Sequence, residues 1–366
     1  MEEVESKMLV YINNAKNAIE LAKTVQEVKE IRDKAITLQE LAKRQKRGLH
    51  VQNAVAEIRL YAERKAGEIL KETELNKGVR MEGTRRLHDE TTVKLNDVGI
   101  SKRDSSNWQR ISDIPEDQFI ESIEVYKEKE KEITTNAFLD IAREIKTKDK
   151  RREMDAAGKK IQITNEFIDF RLGDFKEALA DVPDNSIDLI ITDPPYPEKY
   201  LHLYEQLSKF ANDKLKPSGF CVAYAGQYFL PEVIERMNKS LIYYWVFCLY
   251  HKGGTKIVHG RYIMNRWKPI LIYQKEPVKK IDSVIQDYVI SEQSEKQEHE
   301  WQQSISGISE LIKYFSNIGD MILDPFVGGG TTLCCAVKLK RKCIGAEIDE
   351  KTYNIAKARL KECLVE

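Results

Sequence analysis

Two short apolar runs in this chain each stop at an aspartate followed by proline. "SIDLIITDPPY" ends on Asp193, Pro194, Pro195 and Tyr196, and "DMILDPFVGGGTT" passes Asp324 and Pro325 before three glycines. A β-branched apolar run bounded by turn residues reads as a buried strand. A glycine turn that opens onto a helix start at Thr331 or Thr332 requires the order strand, tight turn, helix. Five further runs of the same kind, "FIDFRLGD", "GFCVAYAG", "YYWVFCLYHK", "WKPILIYQK" and "KCIGAEID", alternate with helical stretches from Phe167 onward. The alternation predicts an α/β class fold, a doubly wound sheet of seven strands whose ligands gather at the carboxyl ends of the strands.

The first part of the chain has a different texture. Up to about residue 155 the text is charged and helical, which predicts two domains, 1–155 all-helical and 156–366 α/β. "TVQEVKEIRDKAITLQELAKRQ" opens with Thr24 three residues before Glu27, the spacing of a capping box. Val25, Val28, Ile31, Ala35, Leu38 and Leu41 then recur at threes and fours, as do Val51, Val55, Ile58, Ala62 and Ile69 in the next segment. Such helices pack on each other or on a second copy of the chain, so a homodimer is one expectation. The "KEKEKE" run at 127–132 reads as a solvated face. Residues 94–115, "KLNDVGISKRDSSNWQRISDIP", read either as a plain helical hairpin or as a helix-turn-helix DNA reader. Gly99 breaks a first helix, Ser101 caps a second, and Trp108 and Ile111 share its apolar side.

Composition narrows the setting more than the function. Lys+Arg and Asp+Glu both number 59, so net charge points to no particular partner, and local basic clusters are what nucleic acid would need. The 6 cysteines show no paired spacing, and no run of apolar residues is long enough to span a bilayer. A reduced, cytoplasmic protein with no membrane segment is expected. His202, His251, His259 and His299 lie scattered without ligand spacing, so no metal is expected.

The glycine turn and the acid after it carry the next step. Gly328 and Gly330 let backbone approach a ligand closely, and a helix N-terminus behind them favours a carboxylate. A further strand ends at Glu347, where an acid grips ribose hydroxyls in nucleotide-type sites. The turn departs from the full dinucleotide pattern, since Leu333 fills its last position. Paired with Asp193-Pro194-Pro195-Tyr196, it resembles the amino-methyltransferases that use S-adenosylmethionine to methylate exocyclic amines of DNA bases. The catalytic tetrad precedes the cofactor turn, as in the permuted β class, and the likeness extends over roughly residues 165–366. Similar helical extensions accompany stand-alone enzymes of phages and mobile elements.

The resemblance implies a set of roles. Asp193, Pro194, Pro195 and Tyr196 would form the catalytic clamp, with Tyr196 stacking on a base turned out of double-stranded DNA. Asp324, Phe326, Gly328, Gly330, Thr331, Thr332 and Glu347 would hold S-adenosylmethionine, and Asp174 would lie near its adenine. Relatives place an H-P-T-x-K-P-like segment where this chain has "HEWQQSISGISELIKYF"; Gln303 and Ser304 would bond the cofactor carboxylate there, without the family's lysine and proline. An aspartate opening the tetrad favours adenine N6, as in site-specific or restriction-modification enzymes. The alternatives are cytosine-N4 methylation and a DNA-binding protein with an inactive methyltransferase half. The loop 251–268, with Lys252, Lys256, Arg261, Asn265, Arg266 and Lys268, reads as a phosphate contact or an ordinary hairpin.

Overall fold

The computed structural model describes residues 14–45, 48–72, 95, 98–163, 165–251, 256–258, 261–281, 283–291 and 305–365. The chain divides into two compact units, Met1–Lys148 and Asp149–Glu366. In the first, α1 (Val25–Arg44), α2 (Leu49–Glu72), α3 (Lys102–Ser112) and α4 (Glu116–Glu128) precede α5 (Thr135–Lys159), within which the division falls. The Thr24 side chain accepts from the Glu27 amide and the Glu27 carboxylate accepts from the Thr24 amide, which closes the capping box. Val28 and Ala35 of α1 meet Val55, Ile58 and Ala62 of α2 in one core, and Leu60, Ile111, Phe119 and Phe138 form a second.

Charges in this unit are tied down as well as solvated. Glu63 is fully buried, and it accepts from Arg32 Nε at 3.2 Å, Arg59 Nε at 2.9 Å and the Thr135 hydroxyl at 2.8 Å. A buried carboxylate needs that many donors, because an unpaired charge would cost several kcal/mol, on the order of 3–5. The "KEKEKE" run is not simply a solvated face. Lys127 pairs with the buried Glu57 at 2.8 Å, and Glu132 pairs with Lys43. The expected first helix of the 94–115 segment lies outside the described residues, while its second is α3.

The second unit is built on an eight-stranded sheet in the order β1-β10-β9-β2-β3-β7-β4-β8. Its strands are β1 (Ile168–Leu172), β2 (Ile187–Thr192), β3 (Leu215–Tyr224), β4 (Ile242–His251), β7 (Trp267–Gln274), β8 (Tyr288–Ser291), β9 (Met321–Asp324) and β10 (Lys342–Glu347). Counting outward from β9, β10 is second and β1 third, so the chain enters the sheet at its third position, the permuted order expected. The seven expected strands are present, and β8 is the addition: four residues long, it carries too little alternation to stand out. A separate hairpin, β5 (Lys256–Val258) with β6 (Ile263–Asn265), occupies the basic loop.

From Leu189 on, successive β2 side chains face opposite ways, Leu189 and Ile191 into a core with Val222 and Ile312 and Ile190 into another with Leu207 and Phe210. A register shift before Leu189 puts Ile187 in that second core too. Both faces are covered, by α6 (Phe175–Ala178), α7 (His202–Lys214) and α8 (Leu230–Met237), and by α9 (Ile305–Phe315), α10 (Thr331–Lys338) and α11 (Glu350–Val365). That is why β2 reads as an unbroken apolar run. Strands β1, β10, β9, β2 and β3 are parallel neighbours, so their carboxyl ends share one edge.

Candidate active site

That edge brings together most of the residues singled out in the sequence. Thr192 closes β2 and Asp324 closes β9, and the Thr192 hydroxyl donates to Asp324 Oδ1 at 2.7 Å. Asp324 is buried, and its carboxylate also accepts from the Phe326 amide at 3.0 Å and from the Thr332 hydroxyl. Burial pushes its pKa up to about 6 against these donors, which hold it down. Asp324 is thus the anchor of the turn that follows.

In that turn Gly328 and Gly330 have φ of 53° and 81°, a region that side-chain-bearing residues avoid. Gly330 is the N-cap of α10, and a Cβ there would come 3.3 Å from Ala356 Cβ. The Gly328 amide donates to Glu347 Oε2 at 2.8 Å, and the Asp349 amide to Glu347 Oε1 at 2.9 Å. Burial raises the Glu347 pKa, while those amides lower it. A carboxylate has about four lone-pair sites, so Glu347 retains capacity for further donors while it orders the turn. The Gly173 amide donates to the Glu347 carbonyl at 2.9 Å, and this sets Asp174 beside it. Asp174 caps α6, accepting from the Lys176 amide at 2.9 Å.

Asp193 follows Thr192 and accepts a hydrogen bond from the Tyr196 phenol. Lys268, at the start of β7, places Nζ 3.3 Å from the Tyr196 hydroxyl and 4.9 Å from its ring centroid. Burial, then the Asp193 charge, raises the Tyr196 pKa well above the usual phenol value, so Tyr196 is a proton donor to Asp193. Lys268, read from the sequence as part of a phosphate contact or an ordinary hairpin, lies against the last residue of the tetrad.

A cavity of about 460 Å³ opens beside these groups, lined by Asp193, Asp324, Phe326–Gly329 and Thr331, and by Arg151, Asp349, Lys351, Thr352, Ile355 and Arg359. Arg359 Nη1 donates to the Gly329 carbonyl at 3.1 Å and to Thr331 Oγ1 at 3.0 Å, so a guanidinium braces the turn. The sequence reading missed Arg151, Lys351 and Arg359. The spacing of Lys351, Ile355 and Arg359 by fours was visible, but a helical stripe does not say what it faces. Gln303 and Ser304 lie outside the described residues. Among the described residues no group of three metal-binding side chains converges, and no helix is long and apolar enough to cross a membrane.

The glycine turn, the acid with spare lone pairs and the adjoining cavity suit an adenosine-type cofactor. Against known proteins, residues 187–358 match the DNA methylase family of N6 and N4 methyltransferases. The type II methyltransferase M.HpaI of Haemophilus parainfluenzae is 28% identical over 226 residues, which cover 50% of this chain and 71% of that protein. M.HinfI of Haemophilus influenzae is 26% identical over 258 residues, 54% of this chain and 70% of that protein. Among solved structures, the M1.HpyAVI–SAM complex shares 25% identity over 52% of this chain and 99% of its own, with a TM-score of 0.46.

Proposed function

We infer that this chain, whose α/β unit is that of an S-adenosylmethionine-dependent DNA amino-methyltransferase, transfers its methyl group to the N6 of adenine in DNA. The observation that carries this reading is the placement of Asp193. Its carboxylate lines the cavity beside the glycine turn and receives a hydrogen from the Tyr196 phenol, in the place an exocyclic amine would take. The resemblance associates an aspartate at that position with adenine.

An adenine amine is a weak nucleophile, because its lone pair is delocalised into the ring. When Asp193 and the Pro194 carbonyl accept its two hydrogens, the nitrogen is drawn out of plane and its lone pair is freed. Pro194 and Pro195 fix local φ and aim that carbonyl, so the contribution is positioning. The carboxylate also stabilises positive charge as it develops on the nitrogen. The Tyr196 phenol must first yield Asp193 to the incoming base, and Lys268 remains as its partner. The ring of Tyr196 then offers a stacking surface to a base taken out of the duplex. S-adenosylmethionine, when bound, supplies an electrophilic methyl group; Glu347, Asp174 and the turn at Gly328–Gly330 are the residues that would hold its adenosine.

The test is methyl transfer from labelled S-adenosylmethionine to mixed-sequence duplex DNA, with the product nucleosides separated by mass spectrometry. N6-methyladenine is expected. N4-methylcytosine would overturn the choice of base and leave the chemistry intact, while cofactor binding without any labelled nucleoside would overturn the reaction.

A further inference from the structure

The family match begins at residue 187 and leaves the helical unit unexplained. Within that unit α3 is mounted unusually firmly for an 11-residue helix. Trp108 and Ile111 are buried, and the Arg32 guanidinium lies 4.9 Å from the Trp108 ring centroid. Helix α2 crosses so closely at Gly67 that a Cβ there would sit 2.1 Å from the Trp108 carbonyl oxygen. Ahead of α3, Gly99 has φ of 61° and the Ile100 amide donates to the Leu95 carbonyl at 2.9 Å. This six-to-one bond closes the chain over a left-handed glycine. Two residues after this turn Ser101 caps α3, accepting from the Asp104 amide at 3.0 Å. Behind it, Arg64 holds the Ile114 carbonyl and Lys71 pairs with Asp113 at 2.7 Å.

The outward side of this anchored helix is polar and basic. Arg103, Ser106 and Arg110 are exposed and Asn107 is half-buried, spaced by threes and fours on one face, with exposed Lys102 beside them. Lys102, Arg103 and Arg110 have no acidic partner among the described residues. A glycine turn, a capped helix with its apolar side buried and basic side chains outside are features that a helix entering the major groove requires.

We propose that the outward face of α3 is a duplex-DNA recognition surface, with Arg103, Asn107 and Arg110 reaching base edges and Lys102 a phosphate. The proposal rests on the methyltransferase reading, which supplies duplex DNA as the partner. The major groove admits one α-helix, and guanidinium and carboxamide groups are the side chains that pair bidentately with guanine and adenine edges there. A rigid mount matters because base readout tolerates little displacement of the side chains that perform it.

The full-length protein tests this with fluorescence anisotropy on mixed-sequence duplex DNA at several salt concentrations, without cofactor. The Arg103→Gln/Arg110→Gln double variant is expected to bind at least about tenfold more weakly than wild type. Lys102→Gln, which removes the phosphate contact, should make the dependence on log salt shallower by about one, and the thermal unfolding of both variants should be unchanged. A charge-matched control, Lys34→Gln/Lys129→Gln, changes two other exposed cations of the same unit and should stay within about twofold. Asn107→Ala should broaden the set of methylated sites read by sequencing. The proposal is overturned if the double variant binds like wild type, if the control loses as much, or if the wild type binds no duplex. Methyl transfer by the wild type is scored separately. Product formation with unaltered binding in the double variant sinks the role of α3 alone, and absence of product sinks the methyltransferase reading while the anisotropy still reports on α3.

Discussion

Asp193 and Asp324 occupy nearly matching places in the chain: Asp324 ends β9, Asp193 directly follows the last residue of β2, each precedes a proline, and the strands are neighbours in the sheet. Their surroundings separate them. Asp324 is 2% exposed and satisfied by two hydroxyls and an amide, with its pKa raised to about 6. Both line the cavity, but Asp193 is half-buried and its one side-chain partner among the described residues is the phenol of Tyr196. One aspartate is built into the framework and the other faces what enters. The same dipeptide thus ends in two environments, one closed by fixed donors and one left more open.

The sharpest way to break this comparison is to remove each carboxylate in turn. Asp193→Ala is expected to lower single-turnover methyl transfer by about 10²–10³-fold, the scale set by losing one preorganised electrostatic partner. Rapid-quench kinetics would check it, and a rate near wild type would reassign the clamp. Asp324→Ala should act on stability instead, because it strands the Thr192 and Thr332 hydroxyls and the Phe326 amide. The loss is about 2–4 kcal/mol, read by denaturant unfolding, and the glycine turn should loosen with it.

A smaller effect comes from pH. The folded Asp324 pKa, about 6, lies above its ordinary value of 3.8, so between these limits the native state binds more protons than the unfolded chain. Stability from this group is therefore complete below about pH 4 and declines as pH rises through 6, by no more than about 3 kcal/mol. Asp324→Asn should flatten that part of the stability curve relative to wild type. An unchanged slope would mean that Asp324 is ionised throughout.

The sequence made the strand ends legible because they are local: an apolar run, an abrupt acid and a stiff or glycine-rich turn sit within a dozen residues. The permuted order of the sheet followed from the order of the two motifs. What stayed hidden depends on distant partners. Thr192 and Asp324 are separated by 132 positions, and Lys268 and Tyr196 by 72. Such pairs exist only once the sheet has set β2 beside β9 and β7 beside β3. Arg359 looked like any helical cation until α11 lay against the turn. In the helical unit the periodicity gave the helices but not their partners, so the bond from Lys127 to the buried Glu57 was read as solvation.

If the end of β2 performs the chemistry and the end of β9 holds the cofactor, the two functions are separable by mutation. Calorimetric titration of S-adenosylmethionine into Asp193→Ala tests it most directly. The account predicts a dissociation constant within about twofold of wild type, in a protein that no longer methylates DNA. Loss of cofactor binding in this variant, or methyl transfer at the wild-type rate, would contradict it.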